Sequence, residues 1–511
     1  MRRHILYVAS SKQAELTRAS LNGLSAVKQK DQGAIGTGYL IHYKQFENLE
    51  IFLNVVDTLD AITPHLKLNP VDLLIYDERQ GIDAIDAINK ISKDVKDFAE
   101  LWGPDFLFPM RRAVTIINDD GNAANKSFIL GRDHVRDVLV NPNSFIATLR
   151  WIAKILIADF KLSTNKKGLA LSGGGMEGFL YQLGTVLAFQ NAIKNFKAND
   201  FNLFSGVSSG SIVASLMAAG VPTIEIVRAI HSKSEILPPL TNSTVFDFAT
   251  KDIAKRIGKQ SISWAGIDPS KWIQKTFHSI PTGLFKGEKL KDYFRQSMEA
   301  FGNDDQFSSL NSELYIGATD QDTYEHIVFG EPGWDDVPIS DAVRASCALP
   351  PFFTPAQIKG RWFIDGQITK TCNLELSVKK GCRLIIIIDP LKPYPLLSPG
   401  SADKKGGVYA LIQTVKALVY TRFNITLSHL TERYPDIDFM VFQPDEECAK
   451  LMVGSPMRYK LRTKIIDLSY LGTLRKLRER HTVYSEKFAK FDLKLASQDE
   501  LSDLERIGIE L

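Results

Sequence analysis

Five residues at positions 206–210, Gly-Val-Ser-Ser-Gly, form a pattern that suits nucleophilic catalysis. G-x-S-x-G places a serine on a sharp turn between a strand and a helix, where its hydroxyl is exposed to a substrate. Ser208 is the central residue, so we predict that it, and not Ser209, is the nucleophile. Gly206 and Gly210 stand two residues before and after it, where the turn brings the chain close to itself. The predicted chemistry is nucleophilic attack by this serine.

A glycine-rich loop, GGG at positions 173–175, follows the short apolar run GLALS and precedes a helical pattern. A strand, a glycine loop and a helix together present free backbone N–H groups and the positive end of the helix dipole to an anion. Three anions fit this layout. Gly173, Gly175 and Gly178 match the G-x-G-x-x-G of dinucleotide sites, and a nucleotide triphosphate is a second candidate, although the Lys-Ser/Thr pair of a P-loop is absent. The third is a transient oxyanion beside a nucleophile.

A serine nucleophile requires a base, because its hydroxyl is weakly nucleophilic at neutral pH. None of the nine histidines stands at a comparable strand end, and His231 and His326 look like ordinary helix and strand residues. Asp365 and Gly366 instead end the aromatic-rich run RWFID, where a sharp turn would present the carboxylate. An Asp-Gly pair alone is more typical of a hairpin. In combination with Ser208, Asp365 is the predicted base.

These three segments, GGGMEG, GVSSG and DGQ, resemble in order and spacing those of the patatin-like phospholipases, and the resemblance covers about residues 168 to 375. Three further segments fit, at positions 283–294, 314–323 and 345–355. The resemblance implies a lipid acyl hydrolase with a Ser–Asp dyad and no cofactor, in which Ser208 attacks the ester and Asp365 accepts the proton. It also implies an oxyanion hole formed by the backbone of Gly173, Gly174, Gly175 and Met176.

Two residues depart from that family's pattern. Glu177 stands where the family commonly has Arg, and Gln367 occupies the third position of the family's D-G-G or D-G-A segment. We expect the negative charge of Glu177 to change head-group preference or to weaken oxyanion stabilisation, and we expect Gln367 to be tolerated. A catalytically decayed lipid- or protein-binding module is therefore the alternative function, and a nucleotide-binding regulatory protein is a third.

The first 160 residues alternate short apolar runs with helical patterns, which predicts a parallel sheet flanked by helices. The order resembles a response-regulator receiver, in which VDLLIYD would be the third strand and Asp77 the phospho-acceptor. The receiver's acidic pair after the first strand is replaced by VASSK, and the segment KSFILG, expected to be a strand, lacks the family's following Lys. An Asp at a strand end in a non-signalling domain is the alternative interpretation of Asp77.

The predicted fold is therefore a three-layer α/β/α patatin-like hydrolase domain preceded by a smaller doubly wound α/β domain. The polar segment at positions 158–168 lacks periodicity, so the boundary is placed there, with domains at 1–160 and 161–511. The first domain is expected to be regulatory, and the end of the second is expected to be mainly helical.

Composition narrows the partners and the location. A net charge of +3 gives no electrostatic argument for binding nucleic acid, and the four cysteines form no C-x-x-C pair, so no metal site is expected. Scattered free cysteines favour the cytoplasm. The expected partner is a lipid substrate at a membrane or lipid surface, and peripheral membrane contact stays open. The basic segment 455–481 is either a lipid-binding region or a helix packed on the catalytic domain. The oligomeric state is open, a homodimer included.

Overall fold

The computed structural model describes residues 2–509, apart from positions 25–26, 32–36, 43–49, 80, 133–134, 143, 162–164, 195, 197–200, 246, 249–281, 395–406 and 454–458. It contains two large sheets with helices on both faces. The change from the first sheet to the second falls between Lys161 and Lys167. The domain division at 160/161 itself stays a prediction.

The first sheet has seven strands, with helices in most of the connections between them. The strands are β1 (Arg2–Ala9), β2 (Val27–Asp31), β3 (Thr37–His42), β4 (Glu50–Val56), β5 (Leu73–Asp77), β6 (Ala113–Ile117) and β7 (Asp137–Val140). The helices are α1 (Ser11–Asn22), α2 (Ile62–Leu68), α3 (Ala84–Trp102), α4 (Ala123–Arg132) and α5 (Phe145–Lys161).

The strand order of this sheet is β2-β3-β4-β1-β5-β6-β7. The five strands β4, β1, β5, β6 and β7 form a parallel, doubly wound sheet, and β2 and β3 add an antiparallel hairpin at one edge. The predicted strand KSFILG is wrong, because these residues belong to α4. The reason is topological: β6 and β7 are parallel neighbours, and a parallel pair needs a crossover, which is usually a helix. The next strand is β7, with the sequence DVLV.

The second sheet continues the strand numbering. Its strands are β8 (Lys167–Leu171), β10 (Leu203–Val207), β11 (Glu313–Asp320), β12 (His326–Phe329), β13 (Ala356–Ile358), β14 (Arg361–Asp365), β15 (Leu384–Ile388) and β16 (Asp438–Phe442), while β9 (Ile193–Lys194) pairs with β17 (Lys494–Leu495). The helices are α6 (Gly175–Ala192), α7 (Ser209–Ala218), α8 (Thr223–Ile230), α9 (Asn242–Val245), α10 (Glu288–Glu299), α11 (Ile339–Ser346), α12 (Leu374–Lys379), α13 (Gly407–Arg433), α14 (Glu446–Leu451), α15 (Arg462–Glu479), α16 (His481–Ala489) and α17 (Gln498–Ile507).

The second sheet is parallel in its centre and lies between two helical layers, as the sequence predicts. Its order is β13-β14-β11-β10-β8-β15-β16, with β12 also paired to β11. One face packs on α6, α7 and α15 through residues such as Leu169 and Ile386, and the opposite face packs on α13 through residues such as Ile387 and Phe423. The carboxyl ends of β8 and β10 are adjacent, which is where ligands bind in open α/β sheets.

Asp105 connects the two halves of the chain. It is buried, accepts hydrogen bonds from the Tyr484 hydroxyl at 2.7 Å and the Val441 N–H at 3.1 Å, and pairs with Arg480. Although burial raises the pKa of Asp105, Lys476 and Arg480 lower it well below its ordinary value. Asp105, which precedes β6, therefore accepts a hydrogen bond from the backbone of the edge strand β16, and this contact helps to cover that edge of the second sheet.

Candidate active site

Ser208 lies on a sharp turn between β10 and α7, as the G-x-S-x-G pattern predicts. Its backbone has φ 54° and ψ −131°, a conformation that few residues other than glycine adopt and that is typical of functional sites. A Cβ added to Gly206 would lie 2.4 Å from the Gly210 carbonyl oxygen, so the turn requires a residue without a side chain there. The elbow is thus built by the two glycines that the sequence singled out.

Ser346, the last residue of the helix α11, connects the elbow to the neighbouring strand β11. Its hydroxyl accepts a hydrogen bond from the Ser208 N–H at 2.8 Å and donates one to the Gly317 carbonyl oxygen at 2.6 Å. Ser346 is fully buried, and sequence reasoning did not identify it individually. The only signal was its place in the segment 345–355 that resembles the family pattern.

The glycine loop lies against the nucleophile. The helix α6 begins at Gly175, whose φ is 63°. Because no helical turn precedes this residue, the amides of the first turn have no intrahelical acceptors. A Cβ added to Gly173 would lie 2.6 Å from Ser208 Cβ, and one added to Gly178 would lie 3.2 Å from Ser209 Oγ. The loop and the elbow are therefore packed together without intervening side chains, as an oxyanion site requires.

Asp365 ends β14 and is fully buried. Burial raises the pKa of Asp365 to about 7, against smaller lowering effects of the Ser208 hydroxyl and the Gln367 N–H. The Gln367 N–H donates to Oδ1 at 2.9 Å, while Oδ2 has no formed hydrogen bond within the described part of the chain. The Ser208 hydroxyl thus lies near enough to affect the carboxylate without a fully formed bond, which is common in substrate-free sites.

No histidine of the described residues is hydrogen-bonded to either member of this pair. His326 forms 2.7 Å hydrogen bonds with Thr369 and Asn373, and burial lowers its pKa to about 4. It is therefore a neutral structural residue at neutral pH. Asp365 therefore stays the predicted base of Ser208, and a pKa of about 7 would suit proton transfer near pH 7.

An apolar cavity opens in front of Ser208. Gly175 and Met176 form one wall beside the nucleophile, and side chains from α6, α7, α8 and α10 and from the segments 237–240 and 347–353 form the rest. The larger lining residues are Phe179, Ile212, Leu216, Ile226, Leu237, Leu240, Leu290, Tyr293, Phe294, Leu349, Phe352 and Phe353. The lining of this cavity is therefore predominantly apolar.

Glu177 does not line that cavity. It lies in the first turn of α6 and is buried, and it faces a different, small cavity together with Gly174, Lys392 and Lys416. A carboxylate in the first turn of a helix also interacts favourably with the helix dipole. Glu177 therefore lines a cavity other than that of Ser208.

Asp389 is a buried carboxylate that supports the loop and that sequence reasoning missed. It follows β15 and accepts hydrogen bonds from the Ser172 hydroxyl at 2.6 Å and the Gln443 amide at 2.8 Å. Gln182 in turn donates to the Ser172 carbonyl oxygen. The available signal was an acidic residue directly after the buried run LIIII.

Asp77 stands at the end of β5, as predicted, but its carboxylate is fully buried and occupied. Arg79 donates to it with Nε at 2.9 Å and a terminal nitrogen at 2.7 Å, and the Tyr7 hydroxyl also donates to it. Nearby, Lys126 contacts Glu78 and other acidic side chains at the same sheet edge. Phosphorylation of Asp77 stays a prediction, and it would require Arg79 to release the carboxylate.

Within the basic segment 455–481, residues 462–479 form α15, which packs on α6, and positions 455–458, including Arg458, lie outside the described residues. Arg475 pairs with Asp445 and Arg478 with Glu505. Within the described ranges, no group of acidic, histidine and cysteine side chains could hold a metal ion. Among the same described residues, no helix has the length and apolar character of a membrane span.

Comparisons with known proteins give a family match for the middle of the chain. Residues 169–376 match the family model of the patatin-like phospholipases. A probable lipid hydrolase, 463L of Invertebrate iridescent virus 6, is 24% identical over 213 residues, which are 42% of this chain; the chain spans 63% of that relative's length.

Solved structures show weaker likeness. VipD from Legionella pneumophila is 18% identical, covers 62% of this chain and 67% of its own, and has a TM-score of 0.32. The G domain of the T. maritima FeoB iron transporter is 8% identical, covers 31% of this chain and 98% of its own, and has a TM-score of 0.22. None of these matches supports the resemblance of the first 160 residues to receivers. The match to the patatin-like phospholipase family covers residues 169–376, which contain Ser208, Asp365 and the glycine loop.

Proposed function

We propose that this protein is a serine acyl-ester hydrolase that releases fatty acids from lipids, as a phospholipase A or related lipid acyl hydrolase. One observation carries the proposal: Ser208, on a strained elbow, lies between an apolar cavity and a buried carboxylate whose pKa is about 7. The family match of residues 169–376 supports the same reaction class.

In the acylation step, Ser208 Oγ forms a bond to the ester carbonyl carbon while its proton passes to Asp365. The π electron pair moves to the carbonyl oxygen, and the resulting oxyanion accepts hydrogen bonds from backbone N–H groups of the glycine loop and the first turn of α6. When the intermediate collapses, the carbon–oxygen bond to the alcohol breaks. The alcohol leaves with the proton from Asp365, and the acyl group stays on Ser208.

In the deacylation step, water takes the place of the alcohol. Asp365 accepts a proton from the water while the water oxygen attacks the acyl carbon, and a second oxyanion forms at the same loop. Collapse breaks the bond to Ser208, which regains the proton, and the fatty acid is released. No step needs a metal or an organic cofactor.

We further propose that the helix α13 contacts the lipid surface that holds the substrate. Its exposed residues between 410 and 429 include no Asp, Glu, Lys or Arg, while Lys416 and Arg422 are partly buried beside them. Leu411, Leu418 and Ile425 are spaced seven residues apart on the exposed face. Arg422 of the same helix donates to the Ile368 carbonyl oxygen at 2.8 Å, next to the turn that carries Asp365. This uncharged face therefore borders the catalytic turn, where an interfacial enzyme needs its contact.

Substitution of either dyad member tests the function. Ser208→Ala and Asp365→Ala should each lower hydrolysis of a nitrophenyl ester by more than about 1,000-fold, because neither group can act alone. Ser209→Ala is the matched control, since Ser209 is equally buried one residue later. Retained activity in Ser208→Ala or Asp365→Ala would refute the dyad. Mass spectrometry of products from mixed phospholipids and neutral glycerides would then identify the substrate class.

The alternative, a decayed binding module, rested on Glu177, whose charge lies outside the cavity of Ser208. Labelling with a fluorophosphonate probe separates the two functions, because a decayed site leaves Ser208 unmodified. Nucleotide binding at the loop has less support, since Gly173 faces Gln367 and Ser208, and Gly174 packs on Pro390.

For the first 160 residues we keep a regulatory role as a proposal, tested by comparing the full chain with an Arg79→Ala variant under acetyl phosphate. Incorporation of phosphate at Asp77 that increases when Arg79 is removed would support it. A cytoplasmic location with peripheral membrane contact, and the homodimer alternative, are likewise proposals.

A further inference from the structure

Gln367 occupies a place at the reacting centre that its position in the sequence did not suggest. A Cβ added to Gly173 would lie 2.2 Å from Gln367 Oε1, 2.4 Å from Gln367 Cδ and 2.6 Å from Ser208 Cβ. The side-chain amide of Gln367 and the nucleophile therefore flank the same point on the glycine loop. This is the loop whose backbone receives the oxyanion in the proposed function.

The Gln367 amide is buried, and its Nε2 has no hydrogen-bond partner within the part of the chain that the structure describes. Leaving a buried donor unpaired costs about 1–3 kcal/mol, so proteins seldom retain one without a use. An unpaired donor beside a nucleophile can be satisfied by the negative oxygen that the reaction creates.

The backbone of Gln367 is held from two sides, which fixes the point beside the loop from which its side chain starts. Its N–H donates to Asp365 Oδ1 at 2.9 Å, and its carbonyl oxygen accepts a hydrogen bond from Arg422. The amide atom that faces Gly173 is the acceptor Oε1, and a half-turn about the terminal torsion brings the donor Nε2 to the same point within the same volume.

From these contacts we propose that Gln367 is a further catalytic residue, whose Nε2 donates a hydrogen bond to the tetrahedral oxyanion on the Gly173 side of the hole. The proposal rests on the acyl-ester hydrolase function. It adds a side-chain donor to the backbone donors of the loop, and it assigns a role to the residue at the third position of the D-G-Q segment.

The test is Gln367→Met, which keeps the approximate volume and removes the donor. Loss of one preorganised oxyanion donor lowers kcat by about 100-fold or more, and KM should change little because the bond forms in the transition state. Gln357→Met is the matched control, since Gln357 is exposed on β13 of the same sheet. Gln367→Ala is a second variant that cannot overfill the site.

Two readouts separate a donor from a packing residue. The inhibition constant of a trifluoromethyl ketone, which forms an oxyanion on Ser208, should rise in proportion to the fall in kcat. The apparent pKa of the pH–rate profile should stay at its wild-type value, because the backbone N–H that contacts Asp365 is retained.

Unchanged or increased kcat in Gln367→Met would overturn the proposal, and so would a loss of kcat accompanied by a shifted pH profile, which would mean action through Asp365. If wild type hydrolyses esters and Ser208→Ala does not, such a result refutes the role of Gln367 alone. If wild type does not hydrolyse esters, the proposed function fails, and the role of Gln367 with it.

Discussion

Replacing Asp365 with Asn should abolish hydrolysis and, above neutral pH, make the protein more stable. The side chain is fully buried, and burial raises its pKa from an ordinary 3.8 to about 7. Asn has nearly the same shape and can still accept the hydrogen bond from the Gln367 N–H, but it never carries a charge. The substitution therefore removes the buried charge that the proposed mechanism requires.

The direction follows from proton binding. The folded protein holds the proton on Asp365 more tightly than the unfolded chain does, so the contribution of this group to stability is fully present below pH 3.8 and is lost as the pH rises through 7. A separation of about three pH units corresponds to a difference of about 4 kcal/mol. Relative to wild type, Asp365→Asn should gain up to that amount at pH 8 and little at pH 4.

Thermal denaturation of both proteins at pH 4, 6 and 8 measures the effect. Asp320→Asn is the opposite control: although burial raises the pKa of Asp320, hydrogen bonds from the Thr323 N–H and Arg361 lower it to about 2. That variant should lose stability at pH 8. A lower melting temperature for Asp365→Asn than for wild type at pH 8 would refute the reasoning.

The same pKa predicts the pH dependence of hydrolysis. Asp365 acts as a base only when ionised, so kcat/KM should rise with an apparent pKa of about 7 and reach a plateau above it. At pH 5 the value should be roughly 1% of the plateau. A profile that is flat between pH 5 and 8 would show that the carboxylate is ionised throughout, which would contradict the proposed effect of burial.

Three further predictions follow from other contacts. Leu418→Glu should weaken binding to phospholipid vesicles without changing hydrolysis of a soluble ester, whereas Leu16→Glu, at an exposed position of α1, should leave both vesicle binding and hydrolysis unchanged. Equal vesicle binding by both variants would exclude α13 as the contact. Asp105→Ala should lower stability by about 3–5 kcal/mol in thermal denaturation, because it leaves buried cations unpaired, while Asp503→Ala, in an exposed pair, should have almost no effect. Ser346→Ala should lower the free energy of unfolding by about 1–3 kcal/mol and should also lower kcat, because it leaves the buried Ser208 N–H without an acceptor. An unchanged kcat would show that the conformation of the elbow does not depend on Ser346.

The parts of the site that the sequence predicted are those that depend on near neighbours in the chain. Gly206 and Gly210 are needed because the elbow folds back on itself within five residues, so the pattern and the structure are tied locally. Asp365 could be placed at a strand end because an apolar run stops there. Pairing this residue with Ser208 required the family resemblance, since 156 positions separate them and no local rule predicts the register of β14.

The parts that the sequence did not predict depend on partners far along the chain. The charged strand β2 has no alternating apolar pattern, because it lies at a sheet edge and is defined only by its pairing with β3. The apolar residues of KSFILG looked like a strand, although Phe128 is exposed and Leu130 buried on α4, which spans a parallel crossover. Asp389 and Ser346 act through hydrogen bonds across the sheet, so their roles become visible only once strand order is known.

Glu177 and Gln367 show how backbone geometry decides the effect of a departure from a family pattern. Successive residues of a helix point about 100° apart, so Met176 lines the cavity of Ser208 while Glu177, one position later, faces away from it. Gln367 instead lies in a tight turn that folds back onto Asp365, which directs its side chain to Gly173. Glu177 therefore lies outside the cavity of Ser208, whereas the neutral amide of Gln367 lies beside Ser208 and the glycine loop.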